Sequence, residues 1–210
     1  MSLVVNEIFY SIQGESTHAG RPCVFVRLTG CNLRCSYCDT RYAYEDGREM
    51  KIDEIIDVVE GYGCPLIEIT GGEPLLQAAT PDIVSVLLKR GYEVLLETNG
   101  SQDISSVDNR CMKIVDFKAP SSGMSEMNDL ENINRLSDGD EVKFVIGNRS
   151  DYEFARKFIK ETGLEASARH PIHFSPVFGK QEPRTLAGWI LDDRLNVRLQ
   201  VQLHKLIGVP

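Results

Sequence analysis

The sequence predicts an α/β fold: a parallel sheet of about six strands, either curled into a shortened, partial β/α barrel or laid out as a doubly wound sheet. Strand-length runs rich in Val, Ile, Leu and Phe are apolar on both faces, as buried parallel strands are. Helical periods alternate with them, which implies right-handed crossovers and parallel pairing. At 210 residues the chain is shorter than the ~250 typical of a closed eight-stranded barrel. Both arrangements place ligands at the C-terminal ends of the strands.

In chain order, strands are expected at 23–29, 66–70, 92–97, 112–118, 141–147, 171–175 and 197–202. A helix starting at Asp53 buries Ile55, Ile56 and Val59. A second opens at Thr80-Pro81-Asp82, with the threonine as N-cap and the proline in the first turn. Ile83, Val84, Leu87 and Leu88 form its apolar face, and Gly91 ends it. Ser150 and Glu153 have capping-box spacing ahead of Phe154, Phe158 and Ile159, and Gly163 closes that helix. The stretch 120–134 is the loosest, a long loop or a weak helix. No repeat, low-complexity tract or linker divides the chain, so one domain over 1–210 is expected.

A chain that is 42% apolar and 26% charged has an ordinary globular balance. Its net charge of −8 offers nothing to phosphates or an acidic membrane surface, which argues against polyanion binding. No apolar run approaches the ~20 residues of a spanning helix, and the first residues carry no basic segment followed by an apolar core. The expected location is the cytoplasm, where cysteines are thiols, catalytic groups or metal ligands rather than disulfides.

Three of the six cysteines lie in Gly30-Cys31-Asn32-Leu33-Arg34-Cys35-Ser36-Tyr37-Cys38-Asp39-Thr40, directly after the first strong strand. Soft thiolates select zinc, copper(I) or an iron–sulfur cluster. Structural zinc takes four closed ligands, and the nearest further candidates, His18, Cys23, Cys64 and Cys111, show no paired spacing. Three cysteines on a four-iron cube instead leave one iron open to a small molecule. A zinc-binding structural module is the alternative outside enzymes. Cys23, Cys64 and Cys111 lie in or beside strands and read as buried structural thiols. Thr70-Gly71-Gly72-Glu73-Pro74 ends the second strand, and glycines there let backbone approach a ligand; a plain strand-to-loop turn is the simpler alternative.

The cysteine spacing, with Tyr37 before the last thiol, and the Thr70–Pro74 segment together resemble the radical S-adenosylmethionine superfamily. Further segments narrow this to its 7-carboxy-7-deazaguanine synthase family: Phe9-Tyr10-Ser11-Ile12-Gln13-Gly14-Glu15-Ser16, Gly20-Arg21-Pro22-Cys23, Cys38-Asp39-Thr40, Asp116-Phe117-Lys118-Ala119-Pro120, Phe174-Ser175-Pro176-Val177 and Gln202-Leu203-His204-Lys205. The resemblance implies a lyase of queuosine and 7-deazapurine biosynthesis. It would convert 6-carboxy-5,6,7,8-tetrahydropterin to 7-carboxy-7-deazaguanine, contracting a ring and releasing ammonia. It also implies a 4Fe-4S cluster, S-adenosylmethionine, Mg2+, a low-potential electron donor such as a flavodoxin or ferredoxin, a homodimer and the shortened-barrel form of the fold. A glycyl-radical-enzyme activase shares the cysteine spacing but acts on a protein, and the Phe9–Ser16 segment argues against it.

Carried onto this chain, the resemblance assigns Cys31, Cys35 and Cys38 to the cluster and Thr40 to Mg2+, which prefers hard oxygens. S-adenosylmethionine is expected at Tyr37, Cys38, Asp39, Gly72, Glu73, Asp116, Phe117, Lys118, His173, Phe174, Ser175 and Pro176. The pterin is expected at Ile12, Gln13, Gly14, Glu15, Arg27, Thr70, His204 and Pro210, the last through a terminal carboxylate. No further catalytic side chain is assigned. The residues' own chemistry suits these roles. Arg27 shares a strand face with Phe25 and Thr29, and a guanidinium fits a carboxylate in two-point contact; an internal salt bridge is the alternative. Gln13-Gly14-Glu15 offers an amide, an approachable backbone and a carboxylate to a pterin edge, or a polar turn with Gly14 at positive φ. Asn99-Gly100 reads as a turn, with a cofactor contact a secondary reading.

Overall fold

A computed structural model describes residues 1–164 and 169–210. Its strands form one sheet in the order β3-β1-β2-β4-β5-β6-β7-β8-β9. β2 (Pro22–Leu28), β4 (Leu66–Gly71), β5 (Glu93–Thr98), β6 (Met112–Asp116), β7 (Glu141–Ile146), β8 (Ile172–Pro176) and β9 (Arg198–Leu199) run parallel. These are the seven strands expected from the sequence. β1 (Ser2–Ile12) and β3 (Arg48–Lys51) extend the sheet antiparallel from β2, so the count of about six is corrected to nine among the described residues. β1 escapes a period-two reading because a register shift between Val5 and Glu7 breaks its alternation. β3 is four residues long with three of them exposed.

The sheet curls. On a flat sheet the order above would separate β1 from β9 by about 34 Å, at ~4.8 Å per strand. Leu203, four residues beyond β9, can reach at most ~14 Å from it. Its N–H nevertheless donates to the Gly14 carbonyl, two residues beyond β1, at 3.0 Å. The two ends of the sheet therefore approach one another, as a partial barrel requires, and among the described residues no strand-to-strand ladder closes the gap.

Strand parity divides the side chains. The convex face carries Val24, Val26, Ile67, Ile69 and Leu96, which pack on α1 (Ile52–Tyr62) and α2 (Thr80–Lys89). Farther along, Val115, Val142, Phe144 and Phe174 pack on α4 (Arg149–Glu161) and α5 (Pro183–Asp192). Phe144 lies at the centre of that second cluster, 5.3 Å from Phe158 and 5.8 Å from Phe174 in edge-on contact. Each such pair adds ~0.5–1.5 kcal/mol beyond area burial. The opposite parity turns inward and carries Arg27, Glu68, Glu97, Asp116 and Lys143 among apolar Phe25, Ile114 and Val145. Two short helices, α3 (Asn132–Arg135) and α6 (Leu203–Ile207), complete the chain. The stretch 120–134 resolves into brief turns at Pro120–Ser122 and Ser125–Met127 followed by α3. Among the described residues no helix is long and apolar enough to cross a membrane.

Helix starts differ in detail from the sequence expectation. Ala79, not Thr80, is the N-cap of α2; the Thr80 hydroxyl is buried and donates to the Pro74 carbonyl at 2.6 Å. The N-cap of α4 is Asn148, whose side chain accepts from Asp151 N at 3.0 Å, leaving Ser150 inside the helix. α1 begins at Ile52, one residue early, and buries Ile55, Ile56 and Val59 as expected. In urea unfolding, Asn148→Ala is expected to cost about 1 kcal/mol and Ser150→Ala to stay within about 0.5 kcal/mol; equal losses would restore the serine cap.

Candidate functional site

A cavity of about 380 Å3 opens at the C-terminal ends of the parallel strands, where the fold class places ligands. The three sequence-marked thiols Cys31, Cys35 and Cys38 line it, half-buried and free. Their loop has no regular structure and is braced from outside. Arg34 lies 4.3 Å from the Tyr44 ring centre and donates to the Cys31 and Leu33 carbonyls at 2.8 Å. Ser36 donates to Ser121 and Ser122 of the Pro120–Ser122 turn at 2.7 and 3.0 Å. Burial pushes the Cys31 and Cys35 thiols up, and Lys118 counters it.

The Gly71-Gly72-Glu73 segment holds the inner edge of this loop. Gly72 N donates to Leu28 O at 3.1 Å and Glu73 N to Gly30 O at 2.7 Å. A Cβ on Gly72 would lie 2.1 Å from the Gly30 carbonyl oxygen and 2.9 Å from Cys31 Cβ, so glycine is required for the close approach. The Glu73 carboxylate is fully buried and accepts from Leu75 N, Thr98 Oγ1 and Asn99 N. It locks the end of β4 to the end of β5 and does not line the cavity. Asn99, which the sequence marked as a turn, lines the cavity and reaches Cys31 Sγ at 3.8 Å. Among the described residues no three His, Cys, Asp or Glu side chains are gathered at metal-holding separation. The donor set itself, three soft thiols with no partner cysteine on a glycine-backed loop, suits an iron–sulfur cluster with one iron left open.

The cavity wall on the same side carries Tyr37, Asp39, Thr40, Asp116, Lys118, Ser175 and Pro176. Lys118 Nζ lies 2.8 Å from Asp116 Oδ2, while Asp116 Oδ1 is buried without a hydrogen-bond partner among the described residues. Thr40 Oγ1 donates to Asp39 Oδ1 at 3.0 Å. Burial pushes Asp39 up, but the Lys205 ammonium and the Thr40 hydroxyl bring it down to about 2. Four expected neighbours lie elsewhere, and each is a correction: Glu73, turned away to hold β4 to β5 as above, and three more. Phe117 and Phe174 have convex parity and sit in the aromatic core. His173 has inward parity but lies low on β8, buried with Glu141 and Gln200.

Ile12, Gln13, Gly14, Glu15, Arg27, Thr70, His204 and Pro210 all line the same cavity. Arg27 Nε meets Glu7 at 2.8 Å between the Phe9 and Tyr42 rings, so the internal ion pair does form. Its two Nη groups make no hydrogen bond to the described residues. Gly14 is glycine for space rather than for φ: a Cβ there would lie 2.0 Å from His204 Nδ1. Burial lowers the His204 pKa. Ser11 Oγ donates to Pro210 O at 2.7 Å.

The sequence reading missed the floor between them. Lys143 of β7 is buried, bonded to Glu15 and 2.8 Å from Glu97 of β5. Gln202 donates to Glu15 at 2.7 Å, and Gln13 donates to Glu68 of β4. Burial works against the Glu15 carboxylate, yet Lys143 and Gln202 hold its pKa down. Glu68 is pushed well up by burial and by the Glu97 and Glu15 charges. Glu97 is also raised, burial and Glu15 outweighing Lys143. One signal for this group was present: charged residues at period two inside otherwise apolar strands, as in Leu66-Ile67-Glu68-Ile69-Thr70.

The Radical SAM superfamily profile matches residues 25–119. The 7-carboxy-7-deazaguanine synthase of Chlorobaculum tepidum is 49% identical over 99% of this chain and 95% of its own length. That of Koribacter versatilis is 45% identical over 98% and 97%. Among solved structures, QueE from Escherichia coli superposes with a TM-score of 0.82 at 22% identity, covering 97% of this chain and 95% of its own, which supports the fold.

Gly14→Ala is expected to release the C-terminal segment, read as faster amide exchange at Leu203 and Gly208 with the β-strand amides unchanged. A second expectation concerns Glu93, half-exposed and paired with Arg21 at 2.6 Å. Arg21 chiefly, and His18, lower its pKa from 4.5 to about 2. Their contribution is thus present above about pH 4.5 and fades as pH falls toward about 2. Arg21→Met should cost about 0.5 kcal/mol at neutral pH, and urea melts should show the gap to wild type closing over that window.

Proposed function

Since the chain belongs to the 7-carboxy-7-deazaguanine synthase family of the radical S-adenosylmethionine superfamily, we propose that it converts 6-carboxy-5,6,7,8-tetrahydropterin to 7-carboxy-7-deazaguanine with ring contraction and loss of ammonia. One observation carries this reading. A single cavity brings the thiol triad together with a guanidinium and an amide–carboxylate wall contributed by Arg27, Gln13 and Glu15.

Cys31, Cys35 and Cys38 would hold a 4Fe-4S cluster, leaving one iron open to S-adenosylmethionine. When bound, the pair supplies a one-electron route to hydrogen abstraction from the substrate. The chain's own residues orient and enclose the reactants. Gly72 and its neighbours present backbone to the methionine moiety. Asp116 Oδ1, buried and without a hydrogen-bond partner among the described residues, accepts from a ligand hydroxyl. Tyr37, Asp39, Lys118, Ser175 and Pro176 complete that wall.

In the same cavity, the Arg27 Nη groups bind the pterin carboxylate in two-point contact. Gln13 and Glu15 read the amide and guanidine-like edge, with Thr70, His204 and Pro210 closing around it. Thr40 Oγ1, beside Asp39, would supply a hard oxygen to Mg2+. In this reading the whole chain is one catalytic domain of a carbon–nitrogen lyase. It is cytoplasmic, homodimeric and served by a flavodoxin- or ferredoxin-type donor.

The test is an anaerobic assay after cluster reconstitution, with reductant, S-adenosylmethionine, Mg2+ and the pterin, read by mass spectrometry. 7-Carboxy-7-deazaguanine is expected from wild type and from none of Cys31→Ala, Cys35→Ala or Cys38→Ala. Cleavage of S-adenosylmethionine without that product would overturn the substrate assignment. Zinc in place of iron and sulfide would overturn the chemistry altogether.

A further inference from the structure

β7 presents Glu141 and Lys143 two residues apart on the inward face, and the loop after β1 presents Glu15 and Thr17 at the same spacing. The two pairs engage in register. Lys143 takes Glu15, while Glu141 accepts from Thr17 N at 3.0 Å and from the Thr17 hydroxyl. Between them Ser16 is buried in the left-handed region at φ +61, a conformation a non-glycine residue holds only when its surroundings enforce it. Its hydroxyl accepts from His18 N at 3.1 Å, tightening the turn.

Glu141 lies outside the cavity lining and is fully buried. Its other neighbour is His173, whose Nε2 lies 2.7 Å away without hydrogen-bond alignment, and His173 Nδ1 in turn meets Gln200 Nε2 at 3.2 Å. The carboxylate thus reaches no substrate surface, yet it fixes a residue two positions from Glu15 and four from Gln13. We propose that Glu141 is a positioning residue for substrate recognition: by clamping Thr17 at the base of the barrel it sets the register in which Gln13 and Glu15 face the cavity. This rests on the reading above in which those two residues meet the pterin.

The clamp predicts a selective kinetic effect. Thr17→Val and Glu141→Gln should each raise KM for the pterin about tenfold, equivalent to ~1.4 kcal/mol, with kcat little changed. Cleavage of S-adenosylmethionine without pterin should match wild type, because the thiol side of the cavity is untouched. Thr17→Ser should restore wild-type KM, and the double variant should be no worse than the poorer single one. An unchanged KM in folded variants, or a parallel fall of kcat, pterin-independent cleavage and melting temperature, would overturn the proposal. If wild type itself does not turn over the pterin, the functional reading fails separately. Amide exchange at residues 15–17 then decides the clamp: faster in Thr17→Val and restored in Thr17→Ser supports it, and equal protection in all three removes it.

Discussion

The buried ammonium of Lys143 joins parts of the chain that strand pairing leaves apart, and the arrangement of the cavity follows from how its charge is balanced. Removing such a charge from water costs several kcal/mol unless partners replace the lost hydration. Glu97 does so from β5 and Glu15 does so from the loop after β1. Glu15 in turn holds Gln202 of the C-terminal segment. Two carboxylates on one ammonium leave an excess of negative charge, and burial together with that charge makes the neighbouring Glu68 hold its proton to higher pH. A curled sheet whose edges share no ladder among the described residues is therefore closed by these side chains together with the Leu203–Gly14 backbone hydrogen bond, with the loop and the C-terminal segment as the two leaves of the closure.

Above that floor, the cavity is assembled from segments with little regular structure of their own. The cysteine loop borrows rigidity from three directions: the glycine pair after β4, the Arg34–Tyr44 contact and the Pro120–Ser122 turn. The glycine pair ends β4, so part of the loop's precision comes from the scaffold beneath it, as is usual for functional loops. Glu73 serves the same end indirectly, holding β4 to β5 so that Gly72 can lie against Gly30.

Much of this was legible in the residues. The seven parallel strands announced themselves through apolar runs, and the cysteine triad and glycine pair through spacing. Arg27, Gln13 and Glu15 were assigned through the family resemblance, their own chemistry leaving an internal salt bridge or a polar turn open. Elements held by non-local contacts were not legible. β1 is broken by a register shift, and β3 is too short and too exposed to carry a pattern. Thr80 and Ser150 have capping chemistry, but a hydrogen bond to Pro74 and a competing Asn148 redirect them. Glu68, Glu97 and Lys143 carried their signal as polar interruptions at period two, and only a curled sheet turns that face into a cavity.

By itself, the sequence determined the seven parallel strands, the thiol loop and the chemistry those thiols can hold, because each depends on composition and spacing over a few residues. The tertiary structure decided which polar side chains share one cavity and which are drawn away from it. Phe117 and Phe174 fall on the convex side by strand parity, and His173 falls too low on its strand to reach the mouth. Parity and depth are set by the register of neighbouring strands and by the curl of the whole sheet, and both are properties of distant pairings that no local window of sequence contains.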